Sequence, residues 1–513
     1  MIEIRQTLRQ LLRAPGFTLT TMLTLAIGLG ATIAIFAVVN GVLIKSLPFA
    51  DAGRLVSLTH RSQQLGATEN LPASSAIYFT YRDHNRAFES VALWQADAAS
   101  VTAPGDSEEV RAMLVTFELL PMLGVVPALG RAFVQTDDQP DSAPTVMLSH
   151  AFWQRRFGGA ENALGAQLVV DGVAHTIIGV LPQDFRFLRR PADVLLPMRP
   201  VPALSFVGPL GENGIARLRA GVTLEEANAD VGRMIPIVAE TFPPVPGMDP
   251  QALRNLRLLP DVKPLKEAFV GDLEDVLWVL LGTIVMLLAI ACANVANLHL
   301  VRTEGRSREL AIQAALGATR AGLALGVVRE SMLLGLAAGA LGLAFATLAL
   351  PALLATAADE LPSVITITID GTVLAFALAA SLASGAFFGI APALRYSGSR
   401  LAGMLTSAGR GHSMSRDRHR VHHGLIAAQV AFALILLVAS GLVARTFQSL
   451  LDVEPGFVAP DAVQTVSVSL PEGAVPDFPR AVRMFHRMQD AIGSLAGVES
   501  VGFASRVPLG GQG

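Results

Sequence analysis

Charge is scarce in this chain. Asp, Glu, Lys and Arg make up only 16% of its 513 residues, where soluble proteins carry about 25%. Hydrophobic residues account for 52%, and that balance indicates a membrane protein before any window is read. The net charge is only −3, which argues against a strongly basic nucleic-acid binder. The single cysteine, Cys292, excludes a disulfide framework and a multi-cysteine metal site. It lies in an apolar run and reads as a small buried side chain. Patterns that carry chemistry are missing too. There is no G-x-x-x-x-G-K-[ST] loop, no H-E-x-x-H, no C-x-x-C and no G-x-S-x-G. Gly28 and Gly30 lie inside an apolar span, not in a phosphate loop. His422 and His423 stand beside Arg420 at a membrane boundary and read as interfacial rather than metal ligands. No catalytic residue, cofactor or metal is expected.

What is present is a set of five long apolar runs. A helix needs about 20 apolar residues to cross a bilayer. The first run, 17–44, follows an amphipathic segment at 1–16 that carries Arg5, Arg9 and Arg13. It exceeds the roughly 7–15 residues of a signal-peptide core, so it reads as an uncleaved span. Further spans are expected at 273–301, 326–358, 371–394 and 424–444. The arginine-rich segments are the N-terminus, the loop at 302–325 and the linker at 395–423. With five spans they fall on one side, as the positive-inside rule requires of cytoplasmic loops. The turn at 359–370 holds Asp359, Glu360 and Asp370 with no Lys or Arg, and falls on the other side. The N-terminus is therefore expected in the cytoplasm, and residues 45–272 outside it.

Within 45–272, Pro, Asp, Glu and Arg return and no run is long enough to span. Strands are expected at 54–59, 91–94, 110–115 and 256–259, and a helix over 74–90. The clearest hairpin is QLVVDGVAHTIIGV, 167–180, turning at Asp171-Gly172. Thr223 with Glu226 predicts a capping box that opens a helix towards Glu240. The fold class is thus an α-helical transmembrane bundle plus an exported α+β domain. Residues 445–513 repeat the early order, with a strand expected at 462–470, a helix at 479–495 and a strand at 498–504. That order predicts a duplicated unit. Its second exported domain is expected to be incomplete at Gly513, in an N-terminal fragment of a longer chain.

Two features carry the functional reading. Few ionisable residues lie in the spans, where ion pathways place them. Asn294, Asn297 and His299 are the polar candidates, and the interval between the two asparagines puts both on one helix face, ready to bond a neighbouring helix. The second feature is RSRELAIQAALGATR, 306–320, between two spans. Ser307 can cap a short helix there, and Glu309 suits the positive end of its dipole. Leu310, Ile312 and Leu316 supply apolar contacts, and Gly317 can end it. These residues fit a docking helix for a soluble partner. They fit equally an interfacial helix without one.

A resemblance bears on that choice. RSRELAIQAALGATR, followed by a span bearing RES at 329–331, resembles the coupling segment of the MacB/FtsX family of ABC-transporter permeases. LRQLLRAPGFTLTTMLTLAIGLGATIAIFAVVNGVLIKSLPF looks like that family's first span. RHRVHHGLIAAQVAFALILLVASGLVARTFQSL looks like the start of a second repeat in its duplicated, acidobacterial-type members. The resemblance implies that 45–272 is a MacB-like periplasmic core domain in a bacterial inner-membrane protein. It implies a cytoplasmic ABC ATPase as partner and mechanotransmission for efflux or export. A periplasmic adaptor or substrate protein, and a pseudo-dimer of internal repeats, are further implied partners beside the bilayer. On this likeness Arg308, Glu309, Leu310, Ile312, Leu316 and Gly317 contact the ATPase. Gln313 and Ala314-Ala315 depart from the more basic residues that many members carry. The other readings are a regulator that relays ATPase state to an envelope enzyme, as FtsX does, and a receptor or adhesion protein with no energy source.

Overall fold

The computed structural model describes residues 11, 14–62, 70–103, 106–187, 191–206, 210–244, 257–305, 312, 319–356, 364–365, 367–397, 416–451, 463–466 and 478–504. Helix α1 (Pro15–Val39) continues into a π-helical turn (Asn40–Ile44). Then come β1 (Leu55–Ser62), α2 (Ser75–His84), β2 (Phe88–Ala103), β3 (Asp106–Val115), α3 (Leu119–Leu123), β4 (Leu129–Gly130) and β5 (Thr145–Leu148). They are followed by α4 (His150–Phe157), β6 (Gln167–Val170), β7 (Val173–Val180), β8 (Val194–Pro197), β9 (Asn213–Leu218), α5 (Leu224–Thr241) and β10 (Leu258–Pro264). The rest is helical: α6 (Leu265–Gly305), α7 (Arg320–Thr356), α8 (Gly371–Ser397), α9 (Arg416–Leu451) and α10 (Phe478–Gly493). The chain divides into a helical unit (Met1–Lys45, Asp272–Ala358, Thr366–Val453) and a sheet unit (Ser46–Gly271, Asp359–Ile365, Glu454–Gly513).

The sheet unit is built on one ten-stranded sheet of order β10-β1-β9-β2-β3-β8-β5-β7-β4, with β6 pairing β2 and β7. Alternation sorts its side chains, because successive residues of a strand face opposite sides. Val56, Leu58, Val91, Leu93 and Ala216 go to one face, against α2 and α5. Leu55, Ala92 and Ile215 go to the other, against α3. Strand β2 is long enough to serve both ends of the sheet. It pairs β9 over residues 88–94 and β3 over 94–103. A third cluster fills the far end, where Phe152 and Trp153 of α4 meet Val101, Val146 and Ile177.

Local chemistry accounts for the element ends. Ser74 accepts a hydrogen bond from Ile77 N at 3.4 Å and caps α2. Thr223 and Glu226 close the expected capping box at α5. The hairpin forms as read: Asp171 (φ 50°) and Gly172 (φ 80°) both take the positive φ that a tight turn of this hand demands. Other expectations change. The helix expected over 74–90 ends at His84, because residues from Phe88 belong to β2. The strand expected at 91–94 is the middle of the much longer β2. The strand expected at 256–259 starts at Leu258 and runs on to Pro264. Of the strand expected at 462–470, residues 462 and 467–470 lie outside the described residues, and neither 463–466 nor 498–504 is a strand. No described strand pairs with either stretch, and a strand without a neighbour leaves its backbone donors and acceptors unmet. The helix between them does form, as α10, with Phe485 against Phe503 at 5.1 Å.

In the helical unit, five helices among the described residues are long and apolar enough to cross a membrane: Pro15–Ile44, Leu273–Arg302, Ala324–Thr356, Gly371–Ile390 and His423–Ser449. Helix α7 is central and packs on both α1 and α8. Glycine makes both contacts possible. A Cβ on Gly339 would lie 2.7 Å from Ser381 Cβ, and one on Gly389 would lie 2.8 Å from Ser331 Cβ. On the α1 side, a Cβ on Gly30 would meet the Gly342 carbonyl oxygen at 2.8 Å. Small residues let helix backbones approach in lipid, where apolar burial alone does not choose partners. Over residues 423–449, helix α9 is exposed except along a half-buried stripe of Leu425, Gln429, Phe432 and Leu436.

Two predictions follow from this packing. Gly339→Val lowers the thermal unfolding temperature in detergent, since overpacking costs about 1–3 kcal/mol. Gly326→Val, at a position with nothing within 4 Å of the added carbon, has a much smaller effect. The second concerns His60, which is fully buried, with Nε2 2.8 Å from Tyr81 Oη. Burial pushes its imidazole down from 6.5 to about 4. Below pH 6.5 the unfolded chain binds a proton that the folded one refuses until about pH 4, so His60 removes stability as pH falls through that window. The loss reaches about 3 kcal/mol in order of magnitude. Burial pushes Asp138 the other way, up to about 6, so wild type must be compared with His60→Gln. Thermal unfolding across this range should show a smaller loss of stability on acidification in the variant.

Candidate functional site

The docking residues expected from sequence flank a short helical position. Arg308, Glu309, Leu310, Leu316 and Gly317 lie outside the described residues, as do the segments 1–10 and 398–415. Ile312 is described, is helical, and is 59% exposed. On either side, α6 ends at Gly305 and α7 begins at Arg320, where Thr319 Oγ1 accepts from Gly322 N at 3.2 Å.

Where these two helices approach the connector, polar groups gather. Arg302, in the last turn of α6, places Nη1 3.2 Å from Oε1 of Glu330 in α7. The two side chains are only 13% and 6% exposed. The Arg302 guanidinium lies over the Phe17 ring of α1, 4.4 Å from its centroid. One turn back along α6, His299 Nε2 is 3.4 Å from Ser331 Oγ. The His299 ring also meets Phe17 edge-on at 5.8 Å and Phe388 of α8 at 6.1 Å. Residues from α1, α6, α7 and α8 thus meet at one junction. The asparagines behave differently from each other. Asn294 accepts from Gln429 Nε2 of α9 at 3.2 Å, which is the neighbour-helix bond expected. Asn297 Oδ1 is buried with no hydrogen-bond partner among the described residues.

A second polar junction lies at the other end of these helices. Asn40, in the π-helical turn, donates to Asp370 Oδ2 at 3.2 Å, and Lys45 Nζ is 3.8 Å from the same oxygen. Asp370 also caps α8, accepting from Thr372 N and Val373 N at 3.1 Å each. The bond from Val373 N leads in holding its carboxyl below the usual range.

In the sheet unit, one apolar cluster collects residues from segments that continue into the long helices. Leu47 follows the first of them, Leu265 opens α6, and Val364 comes from the connector between α7 and α8. Val364 is 1% exposed and Leu265 3%. Nearby in the fold, Arg217 is 6% exposed and donates from Nη2 to Ala50 O at 2.8 Å and to Met122 O. It ties β9 to α3 and to the segment that precedes β1. Tyr78 Oη donates to Glu118 Oε1 at 2.7 Å, and burial pushes the Glu118 carboxyl up.

Within the helical unit, these polar groups can hold helix ends to one another. Among the described residues, no group of three or more His, Cys, Asp or Glu converges as metal ligands would. Sequence reading missed the ion pair, although Glu330 was visible as a carboxylate beside an apolar run. It missed Val364 as well, because an acidic turn reads as solvent-exposed.

Comparison with known proteins adds two family matches. The MacB-like periplasmic core domain model matches residues 18–234, and the FtsX-like permease C-terminal model matches 281–400. No curated protein matches by sequence. Among solved structures, similarity extends to the periplasmic region of MacB from Actinobacillus actinomycetemcomitans, at 12% identity and TM-score 0.33, covering 47% of this chain and 98% of that one. A domain of a permease protein from Porphyromonas gingivalis is 19% identical at TM-score 0.32, covering 42% and 93%. The extracellular domain of the noncanonic ABC-type transporter YknZ from Gram-positive bacteria is 13% identical at TM-score 0.29, covering 36% and 95%.

The Asp370 junction is directly testable. Asp370→Ala removes the α8 cap and the acceptor for Asn40, and should lower the thermal unfolding temperature. Asp370→Asn, which still caps, should recover most of that loss.

Proposed function

We propose that this chain, a permease of the MacB/FtsX type with a MacB-like periplasmic core and an FtsX-like permease domain, transmits the motion of a cytoplasmic ATPase to its periplasmic domain for efflux or export. The family of ABC permeases implies an ATPase partner. The observation that carries the mechanical reading is the shared burial of Leu47, Leu265 and Val364 in one core cluster of the sheet unit. Each lies on a segment that continues into a membrane-length helix, so displacement of those helices pulls on the core of the domain itself. Helix α6 supports the same reading: it runs unbroken from Leu265 to Gly305, from the last strand to the connector.

The ATPase docks on residues 302–325, through Arg308, Glu309, Leu310, Ile312, Leu316 and Gly317. The protein sits in a bacterial inner membrane with its N-terminus in the cytoplasm, a placement supported by the arginines at 1–16, 302–325 and 395–423. The exposed Ile312 fits a surface left for a partner. A duplicated architecture, with α9 and α10 repeating the order of α1 and α2, rests on element order and would let two repeats act as a pseudo-dimer.

Co-purification of the membrane protein with host ATPases tests the reading. Wild type should retain a specific ATPase, and Glu309→Lys and Leu316→Asp should each weaken retention about tenfold or more while inserting normally. Equal retention by the variants, or none by wild type, would sink the docking assignment. An ATPase that is retained but never stimulated by any exported solute would favour a relay to an envelope enzyme.

A further inference from the structure

We infer that Arg302 and Glu330 form a clasp that ties the last turn of α6 to α7 beside their connector and binds both to α1 and α8 as one body. The idea gains its functional meaning from the reading of 302–325 as a docking segment, but the clasp itself stands on separate observations. An arginine at a membrane boundary has a long stem that lets its charge reach water. Arg302 does the reverse. Its side chain turns inward, is 13% exposed, and sits 3.2 Å from a carboxylate that is 6% exposed. Such a pair holds only if both charges stay matched, since removing one partner strands the other in apolar surroundings.

The pair does not act alone. Phe17 of α1 touches both Arg302 and His299, at 4.4 Å and 5.8 Å. His299 lies one turn from Arg302 and reaches Ser331, the residue after Glu330. A Cβ on Gly389 of α8 would press on Ser331, and Phe388 meets the His299 ring. Two adjacent rungs therefore join α6 to α7, and each is backed by a neighbouring helix. Glu330 lies about three turns into α7, so a push on the connector cannot separate α6 from α7 at that level without breaking the ion pair. The push is delivered to the four helices together.

Spin labels at Val301→Cys and Leu325→Cys, both on exposed residues, in a Cys292→Ala background, report the separation of the two ends. Electron paramagnetic resonance on the full chain in lipid nanodiscs should give one narrow distance. The neutral pair Arg302→Gln with Glu330→Gln leaves no stranded charge, and should insert yet lose that single distance. Arg329→Gln, at the neighbouring arginine, should keep it. An unchanged distribution in the neutral pair would overturn the clasp, and so would equal broadening in Arg329→Gln. If the neutral pair fails to insert, the reversed pair Arg302→Glu with Glu330→Arg decides. Insertion with a narrow distance supports the clasp, and failure or a broad distribution rejects it. None of this needs an ATPase, so failure of the docking assignment is scored separately by co-purification. Where an ATPase is retained, ATP should leave the wild-type distance unchanged, because the clasped helices move together. In the neutral pair hydrolysis should continue while ATP shifts or broadens that distance, and an equal response in both would overturn the coupling role.

Discussion

Between α7 and its two neighbours there is room for hydrogen atoms and little else. A Cβ at Gly30, Gly339 or Gly389 would enter the space of another helix. In lipid a helix has already satisfied its backbone, and its side chains gain little by leaving hydrocarbon for protein. What then selects one helix packing over another is closeness, because dispersion is weak per atom pair and falls steeply with a gap. The glycines of α1, α7 and α8 set that closeness. With α7 wedged between the other two, the polar groups at both ends of the bundle come within bonding distance.

The sheet unit meets a different constraint with different means. Its strands are sorted by alternation, and one strand, β2, is shared by the clusters at both ends of the sheet. The buried Arg217 donates to the Ala50 and Met122 carbonyls, and its charge is matched by Asp51 at 3.7 Å. The apolar cluster below it takes Leu47, Leu265 and Val364 from segments far apart in sequence.

Much of this was legible before the structure. Five apolar runs, the Asp171-Gly172 turn and the Thr223–Glu226 box each carry a local signal that no distant contact has to complete. The failures share the opposite property. The strand expected at 498–504, and the described part (463–466) of the one expected at 462–470, have suitable composition, but a strand is made by its neighbour. The ends of α2 and β2 were misjudged because pairing with β9 claims residues from Phe88 onward. Val364 hides in an acidic turn, and the partner of Arg302 lies beyond an entire connector. At the candidate site the residue types were visible as Asn294, Asn297, His299 and Glu330. Which of them meet, and across which helices, is information that only packing holds. The docking residues were read from a likeness of motif, and Ile312 is the one whose exposure bears on it.

Polarity along the bundle is distributed in a way that bears on mechanism. Arg302, Glu330 and His299 sit at one end, and Asn40, Lys45 and Asp370 at the other. Between them, the close contacts that the glycines of α7, α1 and α8 make are with glycine, serine and apolar residues. A bundle that slid helix past helix would need a tolerant, smooth seam. This one is notched by glycines that fit a single register, and it is pinned by charge at its ends. Motion is then cheapest where those constraints are absent: in rotation or tilt of the packed helices together, which leaves every close contact intact. On the mechanical reading proposed above, that motion would reach the sheet unit through the segments that carry Leu47, Leu265 and Val364.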